Sequence, residues 1–140
     1  MEKLVMIVIK IRSLIKSNKG QSLVEMAIVL PILLMLVFAI IEFSRVLSSY
    51  LIIENLARDA ARYGAVGHND AEIQALIASK NPGLNSAVLI ATPSPIFTAR
   101  SRGDTLTVTV KYQVTLVAPF VGEFLPNPYP LETSCSMMVE

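Results

Sequence analysis

The sequence predicts an α+β protein: a long N-terminal transmembrane helix continuing into a small extracytoplasmic domain with a short helix and a roughly three-stranded antiparallel sheet. Three observations predict it. Residues 23–41 are apolar or small at every position except Glu25 and Pro31, and the stretch that follows turns amphipathic at helical spacing. Further on, "TLTVTVKYQVTL" alternates apolar and polar residues almost strictly, which is the period of a half-buried strand.

Composition agrees with a membrane-anchored chain. Of 140 residues, 53% are hydrophobic, 16% charged and 6% aromatic, a skew away from ordinary soluble domains. At about 1.5 Å per residue, residues 23–41 run roughly 29 Å, close to the hydrocarbon thickness of a bilayer. A single span is expected there. Residues 1–20 hold five basic residues (Lys3, Lys10, Arg12, Lys16, Lys19) against Glu2, while the remainder carries seven basic and ten acidic residues. Basic flanks stay on the cytoplasmic side, so the N-terminus is expected inside and residues 65–140 outside the cytoplasmic membrane. The exported part holds no basic patch interleaved with aromatics, which argues against a nucleic-acid partner.

The first segment contains an apolar run at residues 4–9, too short to span and suited at most to a membrane surface. It closes on Ser17-Asn18-Lys19-Gly20. A helix over 21–64 is expected next, with its membrane half at 23–41. Pro31 lacks an N–H and its ring opposes the carbonyl of Ala27, so a kink is expected near residues 27–31. Beyond Ile41, the residues Val46, Tyr50, Ile53, Ala57 and Ala60 recur at spacings of three and four. Glu54, Arg58 and Arg62 lie four apart on one flank, with the acid first, the favourable order for ion pairing. A helix of about 42 residues runs roughly 63 Å, about twice the hydrocarbon thickness, so half of it must protrude.

Gly64 and Gly67 are read as the end of this helix. Asn69 or Asp70 then caps "DAEIQALIASK", whose Ile73, Leu76 and Ile77 form one stripe and whose stop is Asn81-Pro82-Gly83. In "TLTVTVKYQVTL", Leu106, Val108, Val110, Tyr112, Val114 and Leu116 share the buried face. "AVLIAT" (residues 87–92) and "LETSCSMMVE" (residues 131–140) are the expected partner strands, the latter with Leu131, Thr133, Cys135, Met137 and Val139 on one face. "APFVGEFLPNPYP" is a long proline-rich connection containing Phe120, Phe124, Leu125 and Tyr129. Two readings of it stay open: an apolar patch offered to a neighbouring subunit, or a lid folded over its own sheet. Arg102-Gly103-Asp104 is read as a plain turn ahead of a strand.

Catalytic chemistry has no foothold in the sequence. There is one cysteine and one histidine, and no nucleophile–base pair, loop carboxylate pair or metal-ligand spacing. No enzyme and no cofactor are expected. Cys135 is read as a small buried apolar residue and His68 as a solvated loop residue without a partner.

Glu25 needs a reason, because an ionised carboxylate at the bilayer centre costs about 2.5–3.5 kcal/mol, less towards the interface. One account makes it the interfacial edge of an ordinary anchor. A sharper one pairs it with a positive charge: a cut after Gly20 would give Gln21 a new α-amino group and make Glu25 the fifth residue of the product. "KSNKG" followed by "QSLVE" closely resembles the leader junction of type IV pilins and pseudopilins. Val24-Glu25, Pro31, the leucine-rich run, Glu42-Phe43-Ser44-Arg45 and "ARDAARYGA" narrow the resemblance to TadE-like proteins of the tight-adherence (Flp pilus) system, over about residues 17–66. Met26 stands where that family usually has an aromatic residue. The resemblance implies a minor pseudopilin whose basic leader, residues 1–20, is removed by a prepilin peptidase. It also implies that Glu25 neutralises the amino terminus of an adjacent subunit during assembly. Other pilins, the Tad inner-membrane platform and the lipid bilayer are the partners implied. Glu42 and Arg45 have a local reading as well: three apart on one face, they form an ion pair that, with Phe43, marks the outer boundary of the span. The rival reading is an unprocessed single-pass binding module of the cell envelope.

Overall fold

The computed structural model describes Met6 and residues 18–81, 83–118, 122 and 125–140. Apart from Met6, the leader and its apolar run lie outside the described residues, as do Pro82, Phe120 and Phe124. Helix α1 spans Asn18–Ala65 and runs through Pro31, starting ahead of the expected Gln21. The chain divides into two compact units, residues 1–40 and 41–140.

In the first unit every residue from 21 to 40 is exposed, including Leu23, Ile28, Ile32, Leu33 and Phe38. A helix apolar on all sides and exposed along its length is built for a lipid environment or for packing among other helices. By length and composition α1 is a candidate membrane span.

The second unit is organised around the later turns of α1. Ile53, Ala57, Ala60 and Ala61 are fully buried there, Leu56 nearly so, and Val46 packs against the same core. Tyr50, expected on this stripe, is exposed. It precedes Ile53 by three positions and so sits about 60° round the helix from it. The inner face consists largely of alanines, which lets the sheet approach the helix backbone. Gly64 carries this furthest. A Cβ there would lie 2.6 Å from Leu106 Cδ2 and 2.7 Å from Ile73 Cδ1. The helix ends one residue past Gly64, where the two glycines were expected to end it, and Gly64 serves in its last turn as a packing position as well. The turn belongs to Gly67, at φ +99°, whose N–H donates to the Gly64 carbonyl at 3.3 Å.

Helix α2, Asp70–Ser79, is capped by Asn69 through a reciprocal capping box. The Glu72 N–H donates to Asn69 Oδ1 at 2.9 Å and the Asn69 N–H donates to Glu72 Oε2 at 3.0 Å. Of its apolar stripe Ile73 and Ile77 are fully buried, and Leu76 is half-buried.

Strands β1 (Leu89–Ser94), β2 (Thr105–Val114) and β3 (Tyr129–Met138) form an antiparallel sheet in the order β1-β2-β3. Leu89 lies opposite Tyr112, and Val108 opposite Cys135. The alternation in β2 appears directly: Leu106, Val108 and Val110 are fully buried while Thr105, Lys111 and Gln113 are exposed. β1 starts later than expected because Asn85 caps a short 3₁₀ turn, Ser86–Val88. Its outer edge is closed by one side chain. Gln74 Nε2 donates to the Leu89 carbonyl at 3.2 Å, and the Ala91 N–H donates to Gln74 Oε1 at 3.0 Å. Cys135, expected to be buried, is half-buried on β3, because β3 is the other edge of the sheet.

Candidate functional site

The site that the sequence singles out is the start of α1. Gly20 and Gln21 fall in its opening turns, and Gln21 Nε2 donates to Glu25 Oε1 at 3.2 Å. Gln21 and Glu25 are thus neighbours along one helix face, and both are exposed. The first four N–H groups of a helix have no intrahelical partners, so opening the turn that contains the Gly20–Gln21 bond breaks few main-chain hydrogen bonds. Glu25 is the one acid in residues 21–41, surrounded by exposed apolar side chains.

A second cluster lies just past Ile41. Glu42 is buried, 5% exposed, and Arg45 Nη1 donates to its Oε1 at 2.8 Å from a side chain that is 46% exposed. The other carboxylate oxygen accepts the Ala118 N–H at 3.1 Å. Ala118 belongs to the β2–β3 connection, whose base is held by Asn127. The Leu116 N–H donates to Asn127 Oδ1 at 3.0 Å, and Asn127 Nδ2 donates to the Leu116 carbonyl at 3.1 Å. Sequence spacing finds the Glu42–Arg45 pair because its members share a helix face. It gives no signal for Ala118, which contributes only a main-chain N–H from 76 positions away. Of the apolar residues expected at a subunit contact, Leu125 is exposed and Tyr129 is the half-buried first residue of β3. Phe120 and Phe124 lie outside the described residues.

The α1–α2 connection also differs from expectation. His68 was expected to have no partner, but its ring stacks on Tyr63 at 3.6 Å and 5° between planes, and its Nδ1 lies 3.0 Å from Glu72 Oε2. The helical spacing of 68 and 72 brings the last two together once α2 is capped at Asn69. Glu72 titrates below its ordinary value, chiefly because its carboxylate accepts the Asn69 N–H and then because of the His68 hydrogen bond. Arg100 ties the segment after β1 to the same corner. Its side chain is 4% exposed, pairs with Asp70, and donates to the carbonyls of His68 at 3.1 Å and Pro95 at 2.9 Å. These contacts order the connection. Arg102-Gly103-Asp104 is a turn, with Gly103 at φ +94° and the Asp104 N–H donating to the Ser101 carbonyl at 3.0 Å.

No curated protein and no solved structure matches the chain. The family model of the TadE-like proteins matches residues 20–62, which covers Glu25, Pro31, Glu42 and Arg45 and leaves the sheet outside. The match points to involvement in the Tad pilus system, and the exposed apolar helix fits a single-pass membrane anchor within it. The helical segment that holds Glu25 and the Glu42-Phe43-Ser44-Arg45 element is therefore the part of the chain that is similar to TadE-like proteins.

Proposed function

We propose that this chain is a minor pseudopilin of a Tad/Flp-type pilus or secretion apparatus. A prepilin peptidase cuts it after Gly20 on the cytoplasmic side of the inner membrane. The mature helix then enters the assembly from the membrane, with residues 65–140 outside. One observation carries the reading: Glu25 is a lone acid on an exposed apolar helix, one turn from the residue whose α-amino group the cut releases. A buried carboxylate and a buried ammonium each resist leaving water, and pairing makes both tolerable. Such a pair specifies register between subunits more than it adds net stability. The alanine-rich inner face of α1 supports the reading further, because it commits the outer half of the helix to its own domain and leaves the apolar half for packing against other chains.

The test is Glu25→Gln in cells that hold the cognate peptidase and pilus machinery. Gln21 and Gly20 are untouched, so the variant is expected to be cut as the parent is but to be absent from sheared filaments. Wild-type levels of filament incorporation would refute the role of Glu25. Gly20→Phe is expected to accumulate with its leader attached.

A further inference from the structure

We propose that the extracytoplasmic domain itself rests on the lipid surface, through the base of the β2–β3 connection. Residues 23–41 end the apolar run, so chain connectivity puts Glu42 one residue beyond it, at the level of the outer headgroups. Glu42 is not solvated there. It is buried and spends one carboxylate oxygen on the Ala118 N–H at 3.1 Å. That bond draws Ala118 to the same level, and the hydrogen bonds between Asn127 and Leu116 tie together the two described ends of the β2–β3 connection.

Three apolar side chains near this level are exposed. Val117 is 72% exposed and Leu125 44%, and Phe43, next to Glu42 on the helix, is 68% exposed. At a bilayer interface each of these exposures is a favourable burial. The adjoining acid does not oppose a phosphate layer, because Glu42 is buried and paired with the half-exposed guanidinium of Arg45. The occupant of this surface is thus the outer leaflet, its acyl chains meeting Val117 and Leu125 and its headgroups meeting Arg45. The inference needs the span but not the cut after Gly20, so it is separable from the pseudopilin reading.

The chain contains no tryptophan, so a single tryptophan reports on one site. Val117→Trp and Leu125→Trp are each reconstituted as full chains in phosphatidylcholine and phosphatidylglycerol vesicles carrying acyl chains brominated near the headgroup. Leu33→Trp, within the span, serves as the lipid-buried reference. Met138→Trp is the exposed reference: Glu140 donates its N–H to the Ala65 carbonyl at 3.0 Å, so that end of the sheet lies by the end of α1, roughly 35 Å along the helix from Glu42. Tryptophans at 117 and 125 are expected to be quenched by bromolipid at least about two-fold more than at 138, as fits insertion of about 5–10 Å into the boundary. Glu42→Ala, which releases Ala118, is expected to bring the 117 signal down towards that of 138. Quenching at 33 but not at 117 or 125, with those two as open to aqueous iodide as 138, would overturn the inference while leaving the span intact. No quenching at 33 would overturn the span and the inference together.

Discussion

Asn69 and Glu72 hold the start of α2 by exchanging hydrogen bonds, and single substitutions there have separable effects. Asn69→Ala removes the acceptor of the Glu72 N–H and is expected to lower domain stability by about 1 kcal/mol, read from thermal unfolding of the full chain in detergent. Glu72 adds a pH dependence. Its folded value lies below the ordinary 4.5, so the folded state binds this proton less readily than the unfolded state. The resulting stability is fully present above the ordinary carboxylate value and is lost as pH falls through the depressed one. Unfolding midpoints are expected to fall as pH is lowered from about 4.5, and Glu72→Gln, which keeps the capping box, is expected to flatten that fall. An identical slope in both proteins would remove Glu72 as its source. The cap was legible at residue scale as Asn69 or Asp70, and the structure gives Asn69, with Glu72 three places later completing the box. The Tyr63–His68 stack was not, because two residues either side of a turn meet only through the conformation that Gly67 permits.

Helix α1 shows most plainly what periodicity reveals and what it conceals. The change at Ile41 from apolar on all sides to one apolar stripe is written in the sequence, and so is the strict alternation of β2. Both follow from how far each element is covered, and coverage is what hydrophobic pattern records. Gly64 marks the helix end as its residue type suggests, but the pattern conceals its second role: close approach of Leu106 and Ile73 requires the missing Cβ. Two effects oppose each other in Gly64→Ala: helix propensity favours alanine by about 1 kcal/mol, and overpacking a filled core costs about 1–3 kcal/mol. A net loss of roughly 1 kcal/mol is expected in the same unfolding assay. Gln74 makes a similar point for the sheet. As a polar residue on a short helix it looks solvent-facing, but it stands in for a strand along the edge of β1. Gln74→Ala leaves the Leu89 carbonyl and Ala91 N–H without these partners. It is expected to cost about 1–3 kcal/mol and to speed amide exchange at Ala91. Exchange at Ala91 as slow as in the parent would show that the edge is held by something else.

Across the whole molecule, the apolar segment could be read from the sequence in more detail than the domain that follows it. A span declares itself by length and apolar content, and an acid inside it stands out against a uniform background. The contact between Glu42 and Ala118 had no such background, since any residue but proline supplies a main-chain N–H. The two ends of the apolar run thus carry carboxylates with different fates. Glu42 is satisfied within its own domain, by Arg45 and Ala118. Glu25 accepts, among the described residues, a hydrogen bond from the neutral Gln21, and on the proposed reading its charge meets the α-amino group that a cut after Gly20 would release. N-terminal sequencing of the protein purified from cells with an active prepilin peptidase tests this most directly. A mature chain beginning at Gln21 is the expected result, and a chain that still begins at Met1 would contradict it.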